Sequence, residues 1–278
     1  MTARSIDHSP RDHAVWRVRH PAVRATGWAI VPVVFTAVAS AVGQVGGFGD
    51  GPASLVIAAG AALSAVVGLL VMRRSRVSLP LFGFRAPARA RAALWFVPAL
   101  LTVVIALATQ RVGATPSLIG AFAIMSLAVA VNEELWFRGI VLAVLRSIGT
   151  RAAIVGSALL FGVLHLANLA AGVDLGAALL QLAFAALFGL VAAQLAVLTG
   201  SLWPAIVWHA AWDVVNLSFG NEQGAAASVG LALACLIMLA YAGLLWRPVM
   251  RTGVGDGSSG VAPYSGEHGI DRAPDGAR

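Results

Sequence analysis

Eight polar or ionisable side chains interrupt runs that are otherwise apolar, and they fall into three groups. The first is Glu133, Glu134 and Arg138, the second His165 and Asn168, and the third His209, Asp213 and Asn216. A carboxylate and two imidazoles brought together away from bulk water suit one kind of task. The carboxylate can take a proton from water, and burial raises its basicity for that purpose. The imidazoles can orient the water, donate to a developing oxyanion, or bind a metal such as zinc. Hydrolysis of a peptide bond needs these functions together. The chain has no Ser–His or Cys–His nucleophile in a usual motif context, and no HExxH, Walker A or dinucleotide fingerprint.

Spacing assigns the groups to helix faces. Glu134 and Arg138 are four residues apart and can face each other as an ion pair, which leaves Glu133 about 100° round the helix. Glu133 shares its face with Ser126, Val129 and Ala130, a surface that small residues would open to a neighbouring helix. His165 shares a face with Phe161, Gly162 and Asn168, and His209, Asp213 and Asn216 form one polar stripe. Gln181 and Gln194 are expected to hydrogen-bond between helices. A charged residue at the centre of a membrane helix costs roughly 2.5–3.5 kcal/mol on insertion scales, so three in Leu127–Arg146 must pair or work.

The elements that must position these groups are membrane helices. The chain is 59% hydrophobic and 11% charged, with a mean hydropathy of +0.85, outside the range of soluble domains. The fold class expected is all-α, a polytopic transmembrane bundle of about eight spans. They fall at about 26–46, 53–72, 93–110, 117–146, 151–170, 176–198, 202–219 and 225–246. Ala37-Val-Ala39 resembles a signal-peptidase site, but the apolar core is too long for a signal peptide and reads as a retained first span. Residues 1–25 read as a polar cytoplasmic lead and 26–114 as N-terminal spans, with a basic connector at 73–92. That connector is either interfacial or a solvated loop. The core expected to be catalytic is 115–220, followed by a last span in 221–250 and a disordered tail at 251–278.

The net charge of +7 comes from arginine alone. With both termini in the cytosol, the inside segments hold 17 of the 19 arginines, while Asp50, Asp174 and Glu222 fall outside. Headgroups and topology therefore explain the charge, and nucleic acid is not an expected partner. At 1.5 Å per residue, Glu134 lies about 18 Å from Arg146, His165 about 21 Å from Arg151, and His209 about 12 Å from Ser201. Three helices thus carry ionisable groups to similar depth, read as the inner to middle part of the membrane, with approach from the cytoplasmic side. Cys235 lies in an apolar run and has no internal disulfide partner. His8, His13, His20 and His268 are terminal and expected to be inert. Trp203, Trp208, Trp212 and Trp246 are expected in the core or interface belt.

The three groups resemble known motifs. Glu133-Glu134-Leu-Trp-Phe-Arg138, Phe161-Gly-Val-Leu-His165 and His209-Ala-Ala-Trp-Asp213 look like the EExxxR, FxxxH and HxxxN/D motifs of the CPBP intramembrane proteases. These are the type II CAAX prenyl endopeptidases and their bacterial relatives, also called the Abi family. The likeness covers about residues 115–220. It implies a membrane endopeptidase with Glu133 as the base that activates water, and with Glu134 held by Arg138. It further implies that His165 positions the water while His209 and Asp213 line the oxyanion side or bind metal. Phe161, Asn168 and Asn216 are supporting residues. Several members have Asn where this chain has Asp213, and an ionised Asp cannot donate to an oxyanion. The cofactor stays open between a divalent metal such as zinc, held by Glu133, His165, His209 and Asp213, and none.

Partners implied are a peptide or membrane-protein substrate and the lipid bilayer. The alternatives are a non-catalytic immunity or partner-binding protein on the same scaffold, and a proton-coupled transporter, for which the chain shows no internal repeat. Arginine-only, Ala/Gly-rich usage fits a high-GC bacterium and its plasma membrane, where CAAX processing is not the expected substrate chemistry.

Overall fold

A computed structural model describes residues 18–87, 90–219 and 224–254. The lead before Val18, Arg89, Glu222 and the tail from 255 lie outside the described residues, and His8, His13 and His268 with them. The described chain is all-helical, as the composition requires.

Helix α1 (Pro21–Val45) and α2 (Asp50–Arg74) form an antiparallel pair. A 3-10 turn at Leu79–Phe82 and a second at Ala90–Phe96 lead into α3 (Val97–Thr109). Helix α4 (Pro116–Glu134) starts at a capping residue, Thr115, whose side chain accepts from Leu118 N. It runs on through a π-helical segment (Leu135–Val141), α5 (Leu142–Leu145) and a 3-10 turn (Arg146–Ile148) as one rod of 33 residues. Helix α6 (Thr150–Leu164) tightens into a 3-10 segment at His165–Ala171. Then come α7 (Leu175–Thr199), capped by Asp174 and ended by Gly200 at φ 64°, α8 (Trp203–Ser218) and α9 (Ala225–Val254).

Seven of the eight expected spans are helices long and apolar enough to cross a membrane. The other is α8, with 16 residues and so about 24 Å long, short of a hydrocarbon core of roughly 30 Å. It packs against α4, α3 and α7 inside the bundle, where its polar stripe lines a cavity. The ends alternate. Turns at one end of the bundle join α2 to α3, α5 to α6 and α7 to α8, and those at the other join α1 to α2, α3 to α4 and α6 to α7. Cross-turn bonds confirm the grouping, with Leu202 N donating to Gly83 O at one end and Gly113 N to Ser218 O at the other.

The basic connector keeps Arg73, Arg74, Arg76, Leu81 and Arg85 exposed and is tied to the bundle at a few points. Phe82 is buried, Arg85 Nε donates to Gly200 O at 2.8 Å, and Ser201 Oγ donates to Arg85 O at 2.7 Å. The segment is a strap docked on the α7–α8 turn. Gly83, at φ 93°, lies where a Cβ would come within 2.8 Å of Leu202 Cγ, so the close approach needs glycine. The two glutamines behave as expected: Gln181 accepts from Asn168 Nδ2 at 2.8 Å, and Gln194 Nε2 donates to Ala242 O at 3.0 Å.

Candidate active site

The site is built where α4 turns into the π-helical segment. Seven consecutive residues, Leu135–Val141, are buried there, which no amphipathic α-helix could manage with one face. The wider turn packs Trp136 toward α2, where its Nε1 donates to Ser64 Oγ at 3.0 Å, and stacks it on Trp28 of α1. Gly68 of α2 permits the approach of Leu135 and Trp136. Such segments often mark functional sites.

Glu134 and Arg138 pair as the spacing predicts, with Nη1 to Oε1 at 3.0 Å and both side chains fully buried. The structure adds a third member. His209 Nδ1 lies 3.0 Å from the same Oε1. A carboxylate oxygen only accepts, so Nδ1 carries the proton and Nε2 is turned to the cavity. Glu134 is therefore more than a neutralised structural partner: it fixes the orientation of the imidazole.

Around Nε2 stand the remaining carboxylates, Glu133 Oε2 at 3.7 Å and Asp213 Oδ2 at 3.6 Å. Both distances are too long for hydrogen bonds and leave the oxygens facing the cavity. Their side chains keep 19% and 26% of their surface accessible, against none for Glu134, which separates the adjacent glutamates into a cavity-facing and a buried one. His165 Nδ1 donates to Phe161 O at 2.7 Å, so its Nε2 is also free for the cavity.

Phe161 explains its own place in the FxxxH pattern. Its ring touches Phe137, His165 and His209, with centroids at 4.9, 4.8 and 6.0 Å, and Arg138 Cζ sits 4.2 Å over its face. Phe188 of α7 packs on His209 at 5.0 Å and on Trp208 at 3.9 Å. Gly189 follows it, and a Cβ there would come within 3.2 Å of Arg138 Nη2 and of Ala158 Cα. Phe188 and Gly189 escaped sequence reasoning because an apolar residue in an apolar helix carries no signal.

Glu133, His165, Asn168, His209, Asp213 and Asn216 all line one cavity of about 830 Å³. Asn216 stands off from the imidazole, donating to Trp212 O and accepting from Gln110 Nε2. Trp212, expected in the core or interface belt, is buried, lines the cavity and stacks on Phe184 at 4.8 Å. The small-residue face of α4 packs closely as expected, with Ser126 and Ala130 both buried, while Ser126 and Val129 also border the cavity. The cavity extends from these residues toward the α1–α2 and α6–α7 turns.

Residues 115–215 match the family model of the type II CAAX prenyl endopeptidase Rce1-like proteins. This segment is similar to that family. It contains all three motifs and the elements from α4 to α8 that bear them, and it leaves α1–α3 and α9 outside. No curated protein matches the chain. The Rce1-like family is one of proteases, and the helices of this chain suit a multi-pass membrane protein. The donor types in the site are those zinc accepts. Among the described residues, however, no three His, Cys, Asp or Glu side chains converge as a ligand set, so the site as it stands does not fit a bound metal.

Proposed function

We propose that the chain is an intramembrane endopeptidase of the plasma membrane in which Glu133 activates water for attack on a peptide carbonyl. The observation that carries this reading is the division of labour around His209. Its Nδ1 is held by the buried Glu134–Arg138 pair, and its Nε2 is presented beside Glu133 and Asp213 in the cavity that also holds His165.

The chemistry follows from those atoms. A water between Glu133 and the scissile carbonyl gives its proton to the Glu133 carboxylate as its oxygen bonds to carbon. His165, fixed through Nδ1, accepts a hydrogen bond from that water at Nε2 and so orients it. The carbonyl π electrons move to oxygen, where His209, when protonated, donates from Nε2. Collapse of the tetrahedral intermediate breaks the C–N bond, and Glu133 returns its proton to the leaving amine. A general base of this kind contributes about 10²–10⁴-fold, and an oxyanion donor about 10²–10³-fold.

The test is proteolysis by the purified chain in detergent. Glu133→Gln and His165→Ala should each lower turnover by about two orders of magnitude or more while the thermal unfolding midpoint stays near wild type. Cleavage retained by both variants would overturn the assignment and favour a non-catalytic membrane protein on this scaffold. Addition of a chelator in the same assay reports on metal, and undiminished turnover is the outcome expected from the unconverged donor set.

A further inference from the structure

Two distributions along the bundle run in opposite directions. The end where α2 meets the strap, α5 meets α6 and α7 meets α8 holds the arginines: Arg73, Arg74, Arg76 and Arg85, then Arg146 and Arg151. The start of α1 and the last turns of α9 add more there, whereas the opposite end has Arg111 with Asp50 and Asp174. An asymmetry of this size in short loops marks the arginine-bearing end as cytoplasmic.

The cavity occupies the other half. On α7 its lining starts at Ala177, two residues into the helix, and stops at Phe188, near the middle. On α1 it starts at Val33, also mid-helix, and reaches Gln44, next to the last residue. Between the site and the arginine-bearing end lies the buried π-helical segment, whose Phe137 with Phe161 and Phe188 forms the floor. Thr36, Ser40 and Gln44 repeat every fourth residue along α1, a polar stripe that a lipid-facing helix would not carry. All three border the cavity and lead from its mouth toward the site. Asn168 and Gln181 line it as well, so an extended backbone would find amide and hydroxyl partners along the walls.

We propose that the cavity takes its substrate from the non-cytoplasmic side of the membrane, so that the substrate class is an extended peptide, or a segment of a membrane protein, emerging at that face. This deepens the peptidase reading and rests on it for the word substrate. A prenylated C-terminus in the cytosol would meet the closed end of the bundle.

The experiment uses single cysteines in a Cys235→Ala background, expressed in a bacterial plasma membrane and probed with a membrane-impermeant maleimide. Ser117→Cys and Ser78→Cys report the two ends, and Ser40→Cys reports the cavity wall. In intact cells Ser117→Cys and Ser40→Cys should label, with Ser78→Cys labelled only after permeabilisation. Labelling of Ser40→Cys only after permeabilisation, labelling of Ser78→Cys from outside, or no labelling of Ser40→Cys from either side would each overturn the proposal. Thermal unfolding of each variant identifies any that fails to fold, and Ala37→Cys and Gln44→Cys on the same cavity wall then replace Ser40→Cys. Labelling requires no turnover, and the detergent assay has no sides, so failure of sidedness and failure of proteolysis are separate results.

Discussion

Glu134 Oε1 is the atom on which the site turns, because Arg138 and His209 both reach it at 3.0 Å from opposite sides. Removing one member of a fully buried pair leaves the other charge uncompensated, at a cost of about 3–5 kcal/mol. Glu134→Ala should therefore lower the unfolding midpoint and also the turnover, since His209 loses its anchor. Glu133 is partly accessible and stands 3.7 Å from His209 Nε2, beyond hydrogen-bond range, so Glu133→Gln should affect turnover with little change in the unfolding midpoint. The two adjacent glutamates thus separate in one pair of assays, thermal unfolding and kcat. At Asp213 the amide of Asn offers an N–H that the ionised carboxylate lacks. Asp213→Asn is expected to keep most of the activity, and Asp213→Ala to lose up to about 10²-fold in kcat.

At the scale of elements, the helices that bear the motifs are held at close range by missing side chains. Gly162 on α6 faces α7, where a Cβ would come within 2.7 Å of Ala186 Cβ and 2.9 Å of Leu182 O. The second contact is backbone and cannot swing away, so Gly162→Ala should destabilise by about 1–3 kcal/mol and shift His165 with its helix. Gly120 on α4 has nothing within 4 Å of its added Cβ, and Gly120→Ala should be neutral or stabilising by about 0.5–1 kcal/mol. Denaturant titration of both variants in detergent measures the contrast. The π-helical segment has a similar origin. Its apolar residues would be acceptable in an α-helix, and only packing against Ser64 and Gly68 of α2 and Trp28 of α1 draws out the wider turn.

For the whole molecule, the bundle holds a cavity bounded by α1, α4, α6, α7 and α8, and α1 lines it from Val33 to Gln44. Ser40→Trp would narrow the mouth without touching the imidazoles or carboxylates. The expected result is a raised KM for a long peptide with kcat and unfolding midpoint little changed, measured against the same peptide shortened at both ends. The wall needs α1, which lies outside the matched segment, so residues 115–215 alone would not close this space.

What the sequence by itself determined was the medium, the helices and the residues that had to meet. Apolar runs of spanning length leave no other solvent for the chain, and ionisable groups in them are too expensive to be scattered by accident. The pairing of Glu134 with Arg138 was legible too, because both lie on one helix and helix geometry alone fixes their separation. Contacts between helices were not. That His209 reaches Glu134 through Nδ1, that Phe188 and Gly189 frame the site, and that the strap docks on the α7–α8 turn depend on which faces meet, and apolar faces in sequence all look alike. The direction in which the cavity opens is the clearest case. Counting residues gave similar depths for the three groups, but which half of the bundle is plugged and which is hollow was decided by packing. The bulky side chains of the π-helical segment fill one half, and the cavity that α1, α4, α6, α7 and α8 line occupies the other.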